Sequence, residues 1–199
     1  MDKNLKKLDK KIHALDPRFR KKIEDLFSAM SESISMLYEA ATHDEKTGLY
    51  NNKFFESILD MEMEKAMRKQ QQLCLFIIDI DFFKKINDIH GHIKADEFLK
   101  RLADVLKKQL RKSDVAARFG GEEFFIILPQ TKLEKAKALT ARIRDAIKSD
   151  KVLGKHNITV SGGLTSYKEK DTKKSFMERA DKALYDAKHA GRDRFVAIA

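Results

Sequence analysis

Apolar residues in the N-terminal part of the chain recur every three or four positions, which is the spacing of one helical face. They lie at Leu5, Leu8, Ile12, Leu15, Phe19, Ile23, Leu26, Met30, Ile34, Leu37 and Ala41. Residues 1–43 contain no glycine, and the pattern is typical of a coiled-coil seam or a helical hairpin. Asp16-Pro17 interrupts it, which predicts a capping Asp16 and a second helix that begins at Pro17.

Residues 1–43 carry charges of opposite sign in their two halves. The basic residues end at Lys22, and the acidic residues that follow are Glu24, Asp25, Glu32 and Glu39. We interpret this segment as a dimerising or sensing extension. A helix packed against the domain that follows is the alternative.

From Asp44 onward, short apolar runs alternate with longer amphipathic segments. The runs predict strands over residues 73–79, 115–119, 123–128, 158–165 and 195–199. The longer segments predict helices over residues 52–69, 93–110, 132–149 and 175–190. A hairpin set within β-α-β units predicts an α+β domain over residues 44–199. We expect a palm-like split βαβ sheet with a central hairpin and helices on one side.

Composition and charge narrow the class of protein. Hydrophobic residues make up 42% of the 199, which suffices for a core, and the apolar runs are too short to span a membrane. The lysine-rich N-terminus lacks the apolar segment of a signal peptide, and one cysteine, Cys74, excludes an intrachain disulfide. We therefore expect a cytoplasmic protein with no membrane partner.

The formal net charge of +10 attracts anions, and a nucleotide satisfies this as well as a nucleic acid does. The sequence shows no zinc-finger cysteines, no aromatic RNA-binding strand and no clear recognition helix. A nucleic-acid-binding module is therefore the weaker alternative, and we expect no nucleic-acid partner.

Residues 118–125 read RFGGEEFF and place two glycines and two carboxylates between apolar runs. Gly120 and Gly121 supply the positive φ angles of a two-residue hairpin and leave room for a ligand to contact the backbone. Glu122 and Glu123 then point to opposite faces of the strand, so only one faces that ligand. We expect Glu122 to contact the ligand and Glu123 to have a structural role. An ordinary hairpin with solvated glutamates is the alternative.

Asp79 follows directly on the apolar run 73–78. A carboxylate at the end of an apolar strand costs free energy unless it binds a partner group or ion. In a palm-like sheet this strand lies beside the hairpin, which would bring Asp79 close to Glu122. Two hard oxygen ligands with a triphosphate between them are typical of a magnesium site. The P-loop motif is absent, so a P-loop enzyme is excluded.

These motifs resemble those of the GGDEF family of diguanylate cyclases, in the variant that reads GGEEF, and the resemblance covers residues 44–199. The matching segments are residues 44–51 (similar to D-x-L-T-G-L-x-N), residues 79–88 (similar to D-x-D-x-F-K-x-I-N-D), Gly91-His92, Asp96, the hairpin and residues 183–192. The resemblance implies a nucleotidyl-cyclase-like fold. It also implies that a homodimer, with one GTP in each domain, condenses two GTP into cyclic di-GMP and releases two pyrophosphates.

The resemblance further implies a set of metal and phosphate ligands. The metal would be Mg²⁺, with Mn²⁺ as the alternative ion, and its ligands would be Asp79, the backbone carbonyl of Ile80 and Glu122. Glu122 would also be the base for the ribose 3′-hydroxyl. The residues that would neutralise the triphosphate are Lys84, Lys188 and Arg192. Of these, Lys84 would be a catalytic residue, and Lys188 and Arg192 would bind the substrate. Lys188 and Arg192 lie four apart at the end of a predicted helix and would share a face; a solvated basic face is the alternative.

The remaining implied contacts concern the base and the product. Substrate-binding residues by resemblance are Asn87, His92, Asp96, Phe82, Phe83, Gly120 and Gly121. Asp96 argues for GTP over ATP, because a carboxylate accepts from guanine N1–H and the 2-amino group together; for His92 a local turn stabiliser is the alternative. Arg111 and Asp114 match the family's R-x-x-D inhibitory site, so we expect product inhibition, with a helix-end ion pair as the alternative.

The chain departs from the family pattern at positions that are not predicted metal or phosphate ligands. These are Lys46 in place of leucine, Asn52-Lys53 in place of two arginines, Ala95 in place of glycine, Gly162 in place of isoleucine and Asp193 in place of asparagine. The alternative to an active cyclase is a catalytically silent module that binds GTP or cyclic di-GMP. The intact set of predicted ligands favours catalysis.

Overall fold

The computed structural model describes residues 16–199, in which one helix precedes a sheet-containing unit. Helix α1 covers Pro17–Thr42. The Oδ1 of Asp16 accepts hydrogen bonds from the backbone N–H of Arg18 at 2.9 Å and of Phe19 at 3.3 Å. The predicted cap and helix start are thus confirmed, whereas the helix predicted before them lies outside the described residues. The compact unit that follows spans Thr42–Ala199.

A six-stranded sheet forms the centre of that unit. Its strands are β1 (Tyr50–Asn51), β2 (Leu73–Ile80), β3 (Val115–Gly120), β4 (Glu123–Pro129), β5 (Val160–Ser166) and β6 (Phe195–Ile198). They lie in the order β1-β3-β4-β2-β5-β6, with β2 antiparallel to both of its neighbours. The antiparallel β3–β4 hairpin is confirmed, and the outer pairs β1–β3 and β5–β6 are parallel. Strand β1 is too short to show a strand pattern in the sequence.

The helices of this unit are α2 (Asn52–Lys69), α3 (Phe83–Gln109), α4 (Leu133–Ser149) and α5 (Lys173–His189). Helix α2 has its predicted bounds, because the Asn51 side chain caps it by accepting from the backbone N–H of Phe54. Helix α3 begins at Phe83 rather than at residue 93. Its first turns are mostly polar and exposed, and Gly91 interrupts the helical geometry with φ 76° and ψ 162°.

Helices pack on both faces of the sheet, so the prediction of helices on one side is wrong. Strand β2 is buried along its whole length. Phe76 and Ile78 belong to a core shared with α3 and α4, whereas Leu75 and Ile77 belong to a core shared with α2 and α5. A continuous apolar strand is typical of a sheet that is covered on both faces, and residues 73–78 carry that signal.

Two adjacent glycines in β5 let other groups approach the sheet closely. A Cβ on Gly162 would lie 2.6 Å from Cε2 of Phe76 and 2.8 Å from Cδ1 of Phe195. These two rings pack edge to face with centroids 5.0 Å apart, so residue 162 has no room for a branched side chain. A Cβ on Gly163 would lie 2.1 Å from the carbonyl oxygen of Ala180 in α5.

Cys74 is fully buried in β2, and its thiol donates to the carbonyl oxygen of Thr131 at 3.2 Å. Burial, with a smaller effect from the charge of Glu134, raises the pKa of Cys74 to about 12. The thiol is therefore protonated and unreactive at neutral pH.

Candidate functional site

Asp79, the residue before the last of β2, forms an ion pair with the end of α5. The Nζ of Lys188 lies 2.8 Å from Oδ2 of Asp79, which is only 6% exposed. Burial raises the pKa of Asp79, the charges of Glu122 and Asp81 raise it further, and the hydrogen bond from Lys188 opposes them. The rise is due mainly to burial, and a cation bound here would stabilise the charged form of Asp79 as Lys188 does.

The tip of the β3–β4 hairpin reaches the end of β2. The backbone N–H of Ile80 donates to the carbonyl oxygen of Glu122 at 3.4 Å. Because Gly120 pairs with Glu123, the turn residues are Gly121 and Glu122, and the prediction of a Gly120-Gly121 turn is wrong. Only one of the two glycines, Gly121, has a positive φ, of 51°. A bulge before Gly120 shifts the pairing of β3 with β4 by one residue, and the turn lies one residue later than predicted.

Arg118 holds this turn in place, a role that its position in an apolar strand hides from the sequence. Its Nε and Nη2 donate to the carbonyl oxygen of Gly121 at 2.9 Å and 2.8 Å. Its Nη1 lies 3.1 Å from Oδ2 of Asp44. The guanidinium therefore ties the hairpin tip to the start of the domain.

Glu123 lies beside Asp79 rather than on the opposite face. The two residues are partners in the antiparallel β2–β4 register, and such partners point to the same face. Burial raises the pKa of Glu123, and the nearby charges of Asp79 and Asp181 raise it further. Glu123 therefore shares a face with Asp79, and the expectation that it points away from the residues of the predicted site is wrong.

The donor set fits a hard divalent cation whose coordination shell is completed by other ligands. Within residues 16–199, no group of three or more His, Cys, Asp or Glu side chains is arranged to hold a metal ion alone. Asp79 and Glu122 are nevertheless near enough for the charge of Glu122 to act on Asp79, and Mg²⁺ commonly combines one or two carboxylates with phosphate oxygens and water.

Arg192 lies beyond α5, not on it. The helix ends at His189, and residues 191–193 follow with φ angles of 107°, 61° and 45°. The predicted helix face shared by Lys188 and Arg192 is therefore wrong. The Arg192 guanidinium instead lies over the ring of Phe82, 4.4 Å from its centroid, which is a cation–π distance.

Asp81 anchors the loop that presents Arg192. It is 3% exposed, and its carboxylate accepts from Ser161 Oγ at 2.6 Å, Thr159 Oγ1 at 2.8 Å and the backbone N–H of Asp193 at 3.1 Å. Sequence reasoning assigned it no role, although a second carboxylate just after a buried strand was a signal for one. The first turn of α3 then places an exposed Lys84 next to a buried Phe83.

The residues predicted to read the base lie on either side of the break in α3. Asn87 precedes the break at Gly91 and His92 follows it, and Oδ1 of Asn87 lies 3.1 Å from Nδ1 of His92. After it, Asp96 pairs with Lys46, whose Nζ lies 2.8 Å from both carboxylate oxygens. Ala95 is buried in the core, so its methyl group is accommodated in place of the glycine usual in the family.

Arg111 and Asp114 lie at the opposite end of β3 from the hairpin tip. The backbone N–H of Arg111 donates to Oδ2 of Asp114 at 2.9 Å, which closes a local turn. Both residues line a cavity of about 240 Å³ together with Lys135 and Arg142 of α4. Arg142, which had no motif to mark it, donates from Nε to Gln109 Oε1 at 2.8 Å.

The sequence and the fold of this chain are similar to those of known proteins. The family model described as "Diguanylate cyclase, GGDEF domain" matches residues 41–194. The chain belongs to the GGDEF family. This GGDEF chain is 43% identical over 159 residues to the diguanylate cyclase DgcP of Pseudomonas aeruginosa, covering 78% of this chain and 24% of that protein. It is 39% identical over 182 residues to diguanylate cyclase A of Treponema denticola, covering 86% of this chain and 49% of that protein.

The chain thus spans between about a quarter and a half of the length of these two relatives. A crystal structure of the coiled coil and GGDEF domain of DgcB from Caulobacter crescentus, in complex with c-di-GMP, superposes with a TM-score of 0.81 at 31% identity. It covers 91% of this chain and 97% of that one, and the predicted cyclase-like fold with a helical extension is confirmed. Within residues 16–199, every helix is too short or too polar to cross a bilayer.

Proposed function

We propose that this GGDEF chain is a diguanylate cyclase, which condenses two GTP into cyclic di-GMP and releases two pyrophosphates. The observation that carries the proposal is the meeting of Asp79, Glu122 and Lys188 at one end of the sheet. Relatives named as diguanylate cyclases, at 43% and 39% identity, support it.

Asp79, the backbone carbonyl of Ile80 and Glu122 would hold a divalent cation, for which we propose Mg²⁺, with Mn²⁺ as the alternative. Such an ion supplies charge stabilisation at phosphate oxygens and lowers the pKa of a coordinated hydroxyl. In the free protein Lys188 neutralises Asp79, with Nζ and Oδ2 2.8 Å apart. The same ammonium is then placed to turn from the carboxylate to the triphosphate.

Glu122 is the proposed acceptor of the ribose 3′-hydroxyl proton. Lys84, Lys188 and Arg192 would neutralise the triphosphate and the departing pyrophosphate, which stabilises the charge that develops in the transition state. Phe82 orients the Arg192 guanidinium by stacking beneath it. Asp96, with Asn87 and His92 nearby on α3, would select guanine.

The cavity lined by Arg111, Asp114 and Arg142 is the proposed site of product inhibition. Its two arginines can grip phosphate in bidentate fashion, and Asp114 can accept from a guanine edge. It lies at the far end of β3 from Glu122, so that inhibition and catalysis use separate surfaces.

Helix α1 is the proposed dimerisation element. Its residues Phe19, Leu26, Met30, Ile34 and Leu37 are all at least 50% exposed. They form an apolar stripe with the spacing of a coiled-coil seam, and a second copy of α1 would bury it. Pairing of two chains would bring the two GTP molecules face to face.

Incubation of the full chain with GTP and Mg²⁺, followed by product identification, tests the proposal. Wild type should form cyclic di-GMP, Glu122→Gln should lose at least about 100-fold of the rate, and Glu169→Gln, an exposed control, should keep it. In the same assay Arg111→Ala should remove inhibition by added cyclic di-GMP and preserve turnover. Wild type that binds GTP without forming product at dimerising concentrations would instead identify a catalytically silent module.

A further inference from the structure

Lys46 contacts the residue predicted to read guanine, although it stands where the family usually has leucine. Its Nζ lies 2.8 Å from both oxygens of Asp96. The two side chains are 51% and 39% exposed, so a ligand can reach the pair. The ammonium occupies the fork between the oxygens, where a guanine edge would place N1–H and its 2-amino group.

The backbones that carry these two side chains are both held firmly. Thr47 is 4% exposed, and its N–H and hydroxyl donate to Oδ1 of Asp44 at 2.9 Å and 2.7 Å. Asp96 follows Ala95, which is 1% exposed in the core. Movement at this pair is therefore movement of side chains, of which Lys46 has the longer and more flexible one.

We propose that Lys46 is a specificity-determining residue that donates to O6 of guanine while Asp96 binds the adjacent N1–H and 2-amino group. The inference rests on the proposed binding of GTP at Asp96. A base that enters the fork must displace the ammonium, because both use the same two oxygens. An exposed ion pair contributes little stability, so the displacement costs little.

The displaced ammonium has a partner on the base itself. Guanine carries the acceptor O6 next to N1–H on the same edge, and lysine is a common donor to that atom. Adenine presents an amino donor at this position, which an ammonium opposes. Lys46 and Asp96 together then match the acceptor and donor order of guanine better than Asp96 does alone.

Equilibrium binding of 3′-deoxy triphosphates to the full chain tests this, because the missing hydroxyl prevents condensation. The ligands carry guanine, 6-thioguanine, whose sulfur is a weak acceptor, or hypoxanthine, which lacks the 2-amino group. Wild type should bind the 6-thio compound about fivefold more weakly than the guanine compound, and Lys46→Leu less than about twofold more weakly. Lys94→Leu removes a neighbouring ammonium that pairs with Glu97 and should keep the wild-type ratio.

The hypoxanthine ligand probes Asp96 and should be penalised equally in all three proteins. Equal discrimination against 6-thioguanine in wild type and Lys46→Leu would overturn the role of Lys46. Tighter binding of the guanine compound by Lys46→Leu with unchanged discrimination would also overturn it, since Lys46 would then only compete for Asp96. A wild type that binds none of these ligands would refute the proposed function itself, and the inference with it.

Discussion

Asp79 near the end of β2 and Glu123 at the start of β4 are acidic side chains that the fold partly removes from water. Burial raises the pKa values of Asp79 and Glu123, and nearby carboxylates raise them further. A carboxyl group with a raised pKa in the folded state binds more protons than in the unfolded chain, so its contribution to stability is lost as the pH rises. At Asp79 the proposed metal-binding role therefore opposes the stability of the metal-free protein.

Glu123→Gln should stabilise the metal-free protein at neutral pH by up to about 1 kcal/mol, because it removes a half-buried like charge. The sign follows from the raised pKa of Glu123, whose charged form becomes costly as the pH rises above the ordinary value of 4.5. Urea unfolding with a chelator at about pH 7 and about pH 4 measures this, and the gain should shrink at the lower pH. A gain of equal size in the exposed control Glu169→Gln would contradict the explanation.

Asp81→Asn should loosen the loop that presents Arg192. The buried carboxylate accepts three hydrogen bonds, and an amide that cannot replace all of them should cost about 1–3 kcal/mol of stability. Because Arg192 would lose its placement, KM for GTP should rise more than kcat falls. Glu169→Gln is the control, since it changes an exposed carboxyl to an amide away from this loop, and it should leave KM nearly unchanged. Equal KM values in both variants would show that Asp81 has no positioning role.

The position of a site residue could be predicted only where the local hydrophobic pattern and a sequence motif indicate the same element. Asp79 and Glu122 could be placed together because a strand end and a hairpin tip are both visible in the sequence. Glu123 could not, because its direction follows from its pairing with Asp79 across the β2–β4 ladder, and the register of that ladder is not visible in the sequence. Arg192 could not either, since the left-handed backbone of Arg192 and Asp193 is held by the tertiary contact of Asp193 with Asp81.

Among the elements, α5 is the helix whose placement matters most to the site, because Lys188 lies in its last turn. It packs against β5 at Gly163, where a Cβ would overlap the backbone of Ala180 and Leu184. The close approach fixes how far the end of α5 lies from Asp79. Helix packing and ion-pair geometry are thus coupled through one glycine.

Gly163→Ala should therefore destabilise the domain by about 1–3 kcal/mol or more, because the methyl group overpacks a backbone contact that cannot relax. Thermal unfolding measures the loss. Gly120→Ala is the control, since a Cβ there meets nothing within 4 Å, and its stability should stay near that of wild type. Unaltered stability of Gly163→Ala would mean that α5 can move away from the sheet without cost.

The elements themselves were largely predictable, and their arrangement less so. The bounds of helix α2 were predicted correctly, and Asn51 caps it in the structure. The start of α3 was missed because its first turns are mostly polar and Gly91 interrupts them. Strand β1 escaped prediction because its pairing with β3 is a tertiary contact of two residues. The continuous apolar run of β2 was a signal for a sheet covered on both faces, although helices were expected on one side.

For the whole molecule, the proposed reaction sets a requirement that a single domain does not meet. Two GTP molecules must face each other, so the rate depends on how often two copies of the chain meet. The exposed apolar stripe of α1 would raise that frequency by holding two chains together.

Removal of residues 1–41 should lower activity at low protein concentration, because the compact unit Thr42–Ala199 would then pair only by collision. The expected effect is a rate per chain that falls at least about tenfold on dilution and recovers at high concentration. Activity measured across a dilution series of both proteins checks this. Identical dilution curves would rule out α1 as the dimerisation element.

Because the buried Cys74 thiol, with a pKa of about 12, does not react at neutral pH, the native chain already serves as a background for site-specific labelling. A cysteine introduced at an exposed position of α1, such as Ser31→Cys, would be the one thiol open to a spin label or fluorophore. Distances between two such labels would distinguish parallel from antiparallel pairing of α1, with no need to remove a native residue from the core.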